Sequence, residues 1–166
     1  FTSGIYHNRD PWGKSSAFEN AAFLPEHFQA HGYHTMLGGK VFHGPPKGQR
    51  PDEGLDEYAG SFGGQAMRTF ADDFSKPFED RLGIHNYALH WGGLDDEKSK
   101  ELADPKVARW AAQRLQDAYD RPFVLMAGFY RPHTPLTSPQ SFQDIFDREN
   151  VALPPINPDD LDDLPW

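Results

Sequence analysis

Residues 104–129 read DPKVARWAAQRLQDAYDRPFVLMAGF, and this stretch decides the fold class. Asp104 is a good N-cap residue and Pro105 a good first helical residue, so we predict a helix over residues 105–119. The apolar residues that recur at helical spacing are Val107, Ala108, Ala111, Leu115 and Ala118. Residues 123–129 are almost entirely apolar, which is typical of a strand buried on both faces of a mainly parallel sheet. A helix followed by such a strand indicates an α/β fold, with a mainly parallel central sheet flanked by helices.

A second helix and strand are predicted nearer the beginning of the chain. The apolar positions that indicate helical packing there are Phe18, Ala21, Ala22 and Phe28. Pro25 is well placed to begin a separate short helix over residues 26–31, which Gly32 ends. Residues 33–42 then predict a strand that runs into a turn at Gly38-Gly39.

The remaining parts of the chain divide into an irregular stretch and a further helix. Residues 44–104 are too long for a plain connection in a compact domain. We interpret them as a functional excursion with short elements of its own, where substrate specificity is set. After the second strand comes a loop over residues 130–137, and Ser138-Pro139 predicts a helix that reaches about Asp147.

The composition excludes several classes of partner. The formal net charge is -9 over 166 residues, and the Lys and Arg residues are scattered, which argues against a nucleic-acid partner. No stretch approaches the roughly 18 consecutive apolar residues of a membrane-spanning helix. The chain has no cysteine, so structural disulfides and thiolate zinc sites are excluded within these residues, and the compartment is left open.

Charged residues follow both predicted strands. Gly38-Gly39-Lys40-Val41-Phe42-His43 follows the first, and Tyr130-Arg131-Pro132-His133-Thr134-Pro135 follows the second. Ligands of open α/β sheets bind at the carboxyl ends of the strands, so these two loops are the places where a site is expected. If Lys40, His43, Arg131 and His133 converge there, they would form an anion pocket.

These loops and their neighbours, taken in order, resemble the sulfatase family, within the alkaline-phosphatase-like superfamily. The main matching pieces are Gly32-Tyr33-His34-Thr35, Gly39-Lys40-Val41-Phe42-His43, Pro122-Phe123-Val124-Leu125 and Arg131-Pro132-His133-Thr134-Pro135. Supporting pieces are Thr2-Ser3-Gly4-Ile5-Tyr6-His7-Asn8, Leu24-Pro25-Glu26-His27-Phe28 and Trp91-Gly92-Gly93-Leu94. The Lys-Val-Phe-His form is similar to the branch that includes iduronate-2-sulfatase. The resemblance covers nearly the whole chain.

The resemblance implies hydrolysis of a sulfate ester by a formylglycine nucleophile beside a calcium ion. The formylglycine would be made from Cys or Ser by a formylglycine-generating enzyme, and its signature is expected a short way before Phe1. The Ca2+ ligands are expected outside this chain, with one Asp pair upstream and the others beyond Trp166. Residues 1–166 are thus expected to be one partial catalytic domain, truncated at both ends, and to be inactive and poorly folded alone because sheet edges stay unpaired.

The resemblance also assigns roles to individual residues. Lys40 would contact the formylglycine and a sulfate oxygen, and would offset the charge that builds up in the transition state. His43 would hydrogen-bond a hydroxyl of the hydrated aldehyde. His133 would bind the sulfate or act as general acid to the leaving alcohol. Arg131 would bind a carboxylate or a second sulfate on the substrate through two hydrogen bonds.

Several other polar or aromatic residues are interpreted as structural. The histidines His27, His31 and His34 lie on a helix and the turn after it, without an acidic partner at the spacing of a metal site. The acidic pairs Asp72-Asp73 and Asp95-Asp96 fall in irregular polar stretches, where we expect them to be solvated. Trp110 falls among the apolar positions of the predicted helix and is expected in the core.

Three functions remain open at this level. The first is release of sulfate from a sulfated carbohydrate or another sulfate ester, with an extracytoplasmic location (periplasmic, secreted or lysosomal) implied by the family. The second is hydrolysis of a phosphoester or phosphonate by the same superfamily, because phosphate and sulfate are both tetrahedral oxyanions. The third is a non-catalytic relative that binds sulfated glycans through the same loops.

Overall fold

The computed structural model describes residues 4–7, 15–18, 21–42, 54–62, 91–160 and 162. The strands in this part of the chain are β1 (His34–Gly39), β2 (Glu57–Tyr58), β3 (Trp91–Leu94), β4 (Phe123–Gly128) and β5 (Leu136–Pro139). The α-helices are α1 (Leu24–Ala30), α2 (Asp96–Ser99), α3 (Ala103–Arg114) and α4 (Gln140–Gln143). Short 3-10 turns lie at Ser16–Phe18 and Arg148–Asn150. None of the helices in these ranges has both the length and the apolar character that crossing a membrane requires.

The strands form two parallel sheets. β1 lies at the centre of the first sheet, between β2 and β4, and pairs with both of them in parallel. Its register with β4 is continuous from the pair His34 and Phe123 to the pair Gly39 and Gly128. The second sheet pairs β3 with β5, also in parallel. Parallel sheets with helices packed on them confirm the predicted α/β fold.

The core forms between β1 and α3. Met36 and Leu37 of β1 and Val107 of α3 are buried almost completely. Trp110 is 8% exposed, and its indole N–H donates to Glu57 Oε1 at 2.8 Å, so one large side chain joins the helix to β2. The prediction that Trp110 belongs to the core is confirmed. Burying these side chains holds the end of β1 against the helix.

The boundaries of α3 differ from the sequence-based prediction. The N-cap position belongs to Leu102, and Asp104 lies in the first turn of the helix, so the prediction of Asp104 as N-cap was wrong. The helix ends at Arg114 rather than at residue 119. The Tyr119 hydroxyl donates to the Arg114 carbonyl at 2.7 Å, and the Tyr119 ring packs 4.7 Å from the ring of Phe123. The residues after Arg114 therefore turn back towards β4 instead of extending the helix.

The first helix and strand agree with the prediction at their centres but not at their edges. α1 contains Pro25 in its first turn, and Gly32 follows it with a φ of 80°. The Glu26 carboxylate accepts a hydrogen bond from the Phe23 amide at 2.8 Å and so closes the first turn. Residues 21–23 are not helical, and β1 stops at Gly39 instead of reaching residue 42.

The segment around Ser138-Pro139 is a strand, which corrects the prediction of a helix start there. Ser138 and Pro139 pair with Gly93 and Leu94 of β3, so the backbone is extended up to Pro139. α4 then covers a single turn from Gln140 and does not reach Asp147. The loop after β4 is correspondingly shorter, because Leu136 and Thr137 already belong to β5. Proline at the end of an edge strand breaks no ladder hydrogen bond, which allows this arrangement.

β4 is parallel as predicted, but it is only half-buried within the described part of the chain. Residues 124–128 have intermediate exposure, and Phe123 is 39% exposed. The predicted burial on both faces is therefore not reached here. The irregular stretch after residue 44 contains β2, β3 and α2 where the structure describes it, which agrees with an excursion that has short elements of its own.

A polar network closes the amino end of the first sheet. Asp56 accepts hydrogen bonds from the Thr35 amide at 2.8 Å and from the Arg121 guanidinium at 2.7 Å. Burial alone would raise the pKa of Asp56, but the hydrogen bonds from Thr35 and Arg121 outweigh it, and the pKa lies below its usual value. This network fixes the end of the sheet that lies opposite the charged loops.

Gly39 is expected to tolerate alanine much less well than Gly32, although both have nearly the same backbone conformation. Their φ angles are 82° and 80°, and the left-handed backbone alone costs an alanine about 1–2 kcal/mol. A Cβ at Gly32 meets nothing within 4 Å, whereas at Gly39 it would overlap the Gly128 carbonyl and lie 2.7 Å from Val107 Cγ2. We expect Gly39→Ala to lower the free energy of unfolding of the whole protein by about 1–3 kcal/mol more than Gly32→Ala does. Denaturant unfolding of the two variants measures the difference. Equal losses would contradict this packing.

Candidate functional site

Lys40 follows the last residue of β1 and is fixed to the end of β4 by its backbone. The Lys40 amide donates to the Gly128 carbonyl at 2.8 Å, and the preceding Gly39 amide donates to the Gly60 carbonyl at 2.8 Å. A Cβ on Gly128 would overlap the Lys40 carbonyl, so glycine is required for the two chains to approach this closely. The lysine is therefore held at the carboxyl edge of the sheet, beside the point where β4 ends.

Tyr130 connects Lys40 to the loop that carries the histidine. The Lys40 ammonium nitrogen lies 5.7 Å from the centre of the Tyr130 ring, within the range of a cation–π interaction. The Tyr130 carbonyl accepts a hydrogen bond from the His133 amide at 2.9 Å. One residue thus contacts both predicted site residues, which come from loops that are about ninety positions apart in the sequence.

His133 lies in a tight turn, with its side chain exposed. Its ring nitrogen Nδ1 lies 2.6 Å from the Thr134 carbonyl oxygen. A carbonyl oxygen can only accept, so Nδ1 is assigned as the protonated nitrogen in this contact. Nε2 is then the ring nitrogen that does not take part in this contact.

Arg131 bridges the two ends of the loop. Its Nε donates to the Thr137 carbonyl at 2.7 Å, and a terminal guanidinium nitrogen donates to the Thr137 hydroxyl at 3.0 Å. Thr137 is only 3% exposed, so the bridge is partly buried. The guanidinium therefore supports the shape of the loop, a contact that the sequence did not suggest.

Asp104 is the residue of this region that sequence reasoning missed. Its two carboxylate oxygens accept hydrogen bonds from the amides of Tyr130 at 2.7 Å and Arg131 at 3.0 Å. The sequence showed only an aspartate before a helical proline, for which capping is the commonest role. Its contact with a loop 26 residues farther along depends on how α3 packs against β4.

The other predicted residues are not brought to this edge by the described part of the chain. His43 lies outside the described residues, as do Asp72 and Asp73. The remaining polar residues make local contacts, and the prediction that Asp95 and Asp96 fall in an irregular stretch was wrong, because Asp95 is the N-cap of α2 and Asp96 its first residue. His31 Nδ1 bonds the His27 carbonyl at 2.7 Å, and the carboxylates of Asp95 and Asp96 bond the backbone amides of Lys98 and Ser141.

The family resemblance implies a calcium ion beside the nucleophile. Within these ranges, no group of three or more Asp, Glu or His side chains could hold a metal ion. The described residues therefore do not form a calcium site.

A mainly apolar cavity of about 360 Å³ lies beside the loop, between the beginning of α3 and α4. Its apolar lining includes Leu102, Ala108, Phe129, Pro139 and Phe142, and Arg131 contributes its polar edge. Tyr130 and Arg131 of the loop after β4 thus form part of the wall of this cavity.

Comparison with known proteins places the chain in a family. The model of the family described as Sulfatase matches residues 1–154. A protein named sulfatase from Formosa agariphila is 34% identical over 172 residues, which cover 99% of this chain and 33% of that protein. Iduronate 2-sulfatase of Homo sapiens is 30% identical and that of Mus musculus 28% identical, each over 99% of this chain. The matched region makes up 30% of the human protein and 29% of the mouse protein.

The chain spans about a third of the length of the curated relatives it matches. The resemblance of the two charged loops to sulfatases and to the iduronate-2-sulfatase branch is confirmed by these matches. Because the family model covers nearly all of its residues, the chain belongs to the sulfatase family.

Proposed function

We propose that the whole protein to which this chain belongs hydrolyses sulfate esters, and that the chain supplies Lys40, His43 and His133 to the active site. The observation that supports this most directly is the meeting of Lys40 and the His133 loop at adjacent parallel strand ends, linked through Tyr130. Cation and imidazole at one sheet edge suit a tetrahedral oxyanion with a protonatable bridging oxygen.

Lys40 is proposed to bind a non-bridging oxygen of the sulfate. Negative charge spreads over these oxygens as the bond between sulfur and the bridging oxygen breaks, so a fixed ammonium stabilises the transition state more than the bound ester. The Gly39 and Gly128 backbone fixes the position from which the side chain extends. The Tyr130 ring limits where the ammonium can move, because a cation is attracted to the face of the ring.

His133 is proposed as the general acid that donates a proton to the leaving alcohol. Its Nδ1 contacts the Thr134 carbonyl, and Nε2 is proposed as the nitrogen that donates the proton. Imidazole changes its charge near neutral pH more readily than other side chains, which suits this role. The sulfur–oxygen bond to the leaving group would break as a new bond forms between sulfur and the nucleophilic oxygen, and the leaving oxygen would take the proton from His133, so the alcohol leaves as a neutral molecule.

The remaining chemistry is assigned by the family resemblance. A formylglycine made from Cys or Ser by a formylglycine-generating enzyme would supply the nucleophilic oxygen, and Ca2+ would be bound by residues beyond this chain. His43 is proposed to hydrogen-bond the hydrated aldehyde. A sulfated carbohydrate is the proposed substrate class and an extracytoplasmic compartment the proposed location, both in keeping with the iduronate-2-sulfatase-like matches.

Arg131 is proposed to bind an anionic group on the substrate with its guanidinium. We expect Arg131→Lys to raise KM about tenfold for a substrate with a carboxylate or second sulfate, because lysine loses the two-pronged contact. KM for an aryl sulfate with no charged group besides its sulfate is expected to stay within about twofold. Steady-state kinetics on both substrates measure the difference. Equal losses on both would assign Arg131 to loop support through Thr137 alone.

Sulfate and phosphate esters of one aryl alcohol test the proposed reaction. We expect the whole protein to hydrolyse 4-nitrophenyl sulfate faster than 4-nitrophenyl phosphate, with release of the same phenol measured in both assays. Faster hydrolysis of the phosphate would make a phosphoester hydrolase the better assignment. A protein that binds sulfated glycans but turns over neither ester would be a non-catalytic relative.

A further inference from the structure

We propose that Asp104 is a positioning residue of the sulfate site and that it acts through the backbone of residues 130–133. The inference rests on the proposed function and adds a residue that neither the charged-loop pattern nor the family motifs suggested. Both carboxylate oxygens of Asp104 accept amides of the loop, so it is proposed to act on the site through the loop. It holds Tyr130, which contacts both Lys40 and His133.

The first step is the anchoring of the loop. β4 ends at Gly128, so the amides of Tyr130 and Arg131 lie beyond the paired part of the strand. Asp104 accepts both of them with one carboxylate, at 2.7 and 3.0 Å. A two-pronged contact from an ionised group fixes the direction of these peptides as well as their distance from α3. α3 packs on β1 through the buried side chains of Val107 and Trp110 and also contacts β4, so the anchor belongs to a buried part of the fold.

The second step leads from the anchor to the site. The residue whose amide Asp104 holds most closely, Tyr130, also presents its ring to the Lys40 ammonium and its carbonyl to the His133 amide. A rotation of the Tyr130 peptides would therefore move the ring and the turn at His133 together. Displacements of about 1 Å at a reacting group can reduce rates by about a hundredfold. Loss of the Asp104 carboxylate is therefore expected to lower the rate by displacing Lys40 and His133.

The test uses the whole protein, matured with formylglycine, and two sulfate esters. One is 4-nitrophenyl sulfate, whose phenol leaves easily, and the other is a simple alkyl sulfate, whose alcohol requires a proton from the general acid. The variants are Asp104→Asn, which keeps one acceptor oxygen, and Asp104→Ala, which keeps none. Asp95→Asn is the matched control, because the Asp95 carboxylate also accepts a backbone amide, from Lys98 at 2.9 Å, but belongs to an exposed helix cap.

We expect Asp104→Asn to lower kcat on the alkyl sulfate about tenfold more than on the aryl sulfate, and Asp104→Ala to widen that ratio further. Asp95→Asn should leave the ratio unchanged. The ratio of two rates in one preparation does not depend on how much of the protein is folded, so a general loss of stability cannot produce it. If Asp104→Ala yields no folded protein, Asp104→Glu, which keeps the charge but moves the oxygens by one methylene, is expected to shift the ratio in the same direction.

The outcomes separate this inference from the proposed function. If the unaltered protein releases sulfate from neither ester, the proposed function fails and the positioning role fails with it. If the unaltered protein is active and the ratio is the same in all Asp104 variants that fold, only the positioning role is overturned, and Asp104 is then a structural residue of the loop.

Discussion

Replacing Lys40 by alanine is expected to lower kcat/KM for sulfate release by the whole protein about 100- to 1,000-fold, the range for loss of one preorganised charge-stabilising group. The reason is that the ammonium offsets charge that develops on the sulfate oxygens. Among the described side chains at this edge, none is proposed to take over that role of Lys40. The loss should appear in kcat as well as in kcat/KM, because the contact strengthens in the transition state.

The matched control for Lys40 is Lys106→Ala. Lys106 lies on α3, where its ammonium pairs with Glu101 at 3.3 Å at the surface, so its removal takes away the same charge without touching the proposed site. Sulfate release by both variants is measured under identical salt conditions, because surface charge effects change with ionic strength. Similar losses in the two variants would show that the overall charge matters and that Lys40 has no specific role.

Replacing His133 by alanine is expected to lower kcat about 100- to 10,000-fold on an alkyl sulfate, as for loss of a general acid. The loss on 4-nitrophenyl sulfate should be much smaller, because a phenolate of low basicity leaves without a proton. The Nδ1 contact with Thr134 supports this assignment, since it directs the other ring nitrogen to proton transfer. Rates on both esters across the pH range measure the effect.

The matched control for His133 is His31→Ala, which removes another exposed imidazole that bonds a backbone carbonyl, that of His27 at 2.7 Å. Its kinetics should equal those of the unaltered protein. Equal losses on the alkyl and aryl esters in His133→Ala would instead assign the histidine to sulfate binding, and no loss on either would remove it from the site.

The sequence predicted the elements that repeat a strong local pattern. The apolar run after Pro122 indicated a parallel strand, and β4 pairs in parallel with β1. A strand that follows a crossover helix by a short connection usually returns to the same sheet in parallel. Trp110 was placed in the core by its helical spacing. The predicted positions of Lys40 and His133 at neighbouring strand ends also agree with the structure, since parallel strands present their carboxyl ends at one edge.

The misses share a physical cause, which is that tertiary contacts outweighed local propensity. Ser138-Pro139 has the pattern of a helix start, but pairing with Gly93 and Leu94 keeps it extended. Asp104 has the pattern of an N-cap, but its carboxylate is used by the amides of Tyr130 and Arg131. Neither partner is close in sequence, so no local rule identifies it.

Sulfate release tests most directly whether this chain contributes Lys40 and His133 to the active site of a sulfate-ester hydrolase. The whole protein, co-expressed with a formylglycine-generating enzyme, would be incubated with a panel of sulfated sugars and the freed sulfate measured by ion chromatography. We predict release from at least one sugar, and loss of release in Lys40→Ala and His133→Ala. No release from any sulfated sugar by a protein with an intact nucleophile, and no effect of Lys40→Ala on any residual turnover, would contradict it.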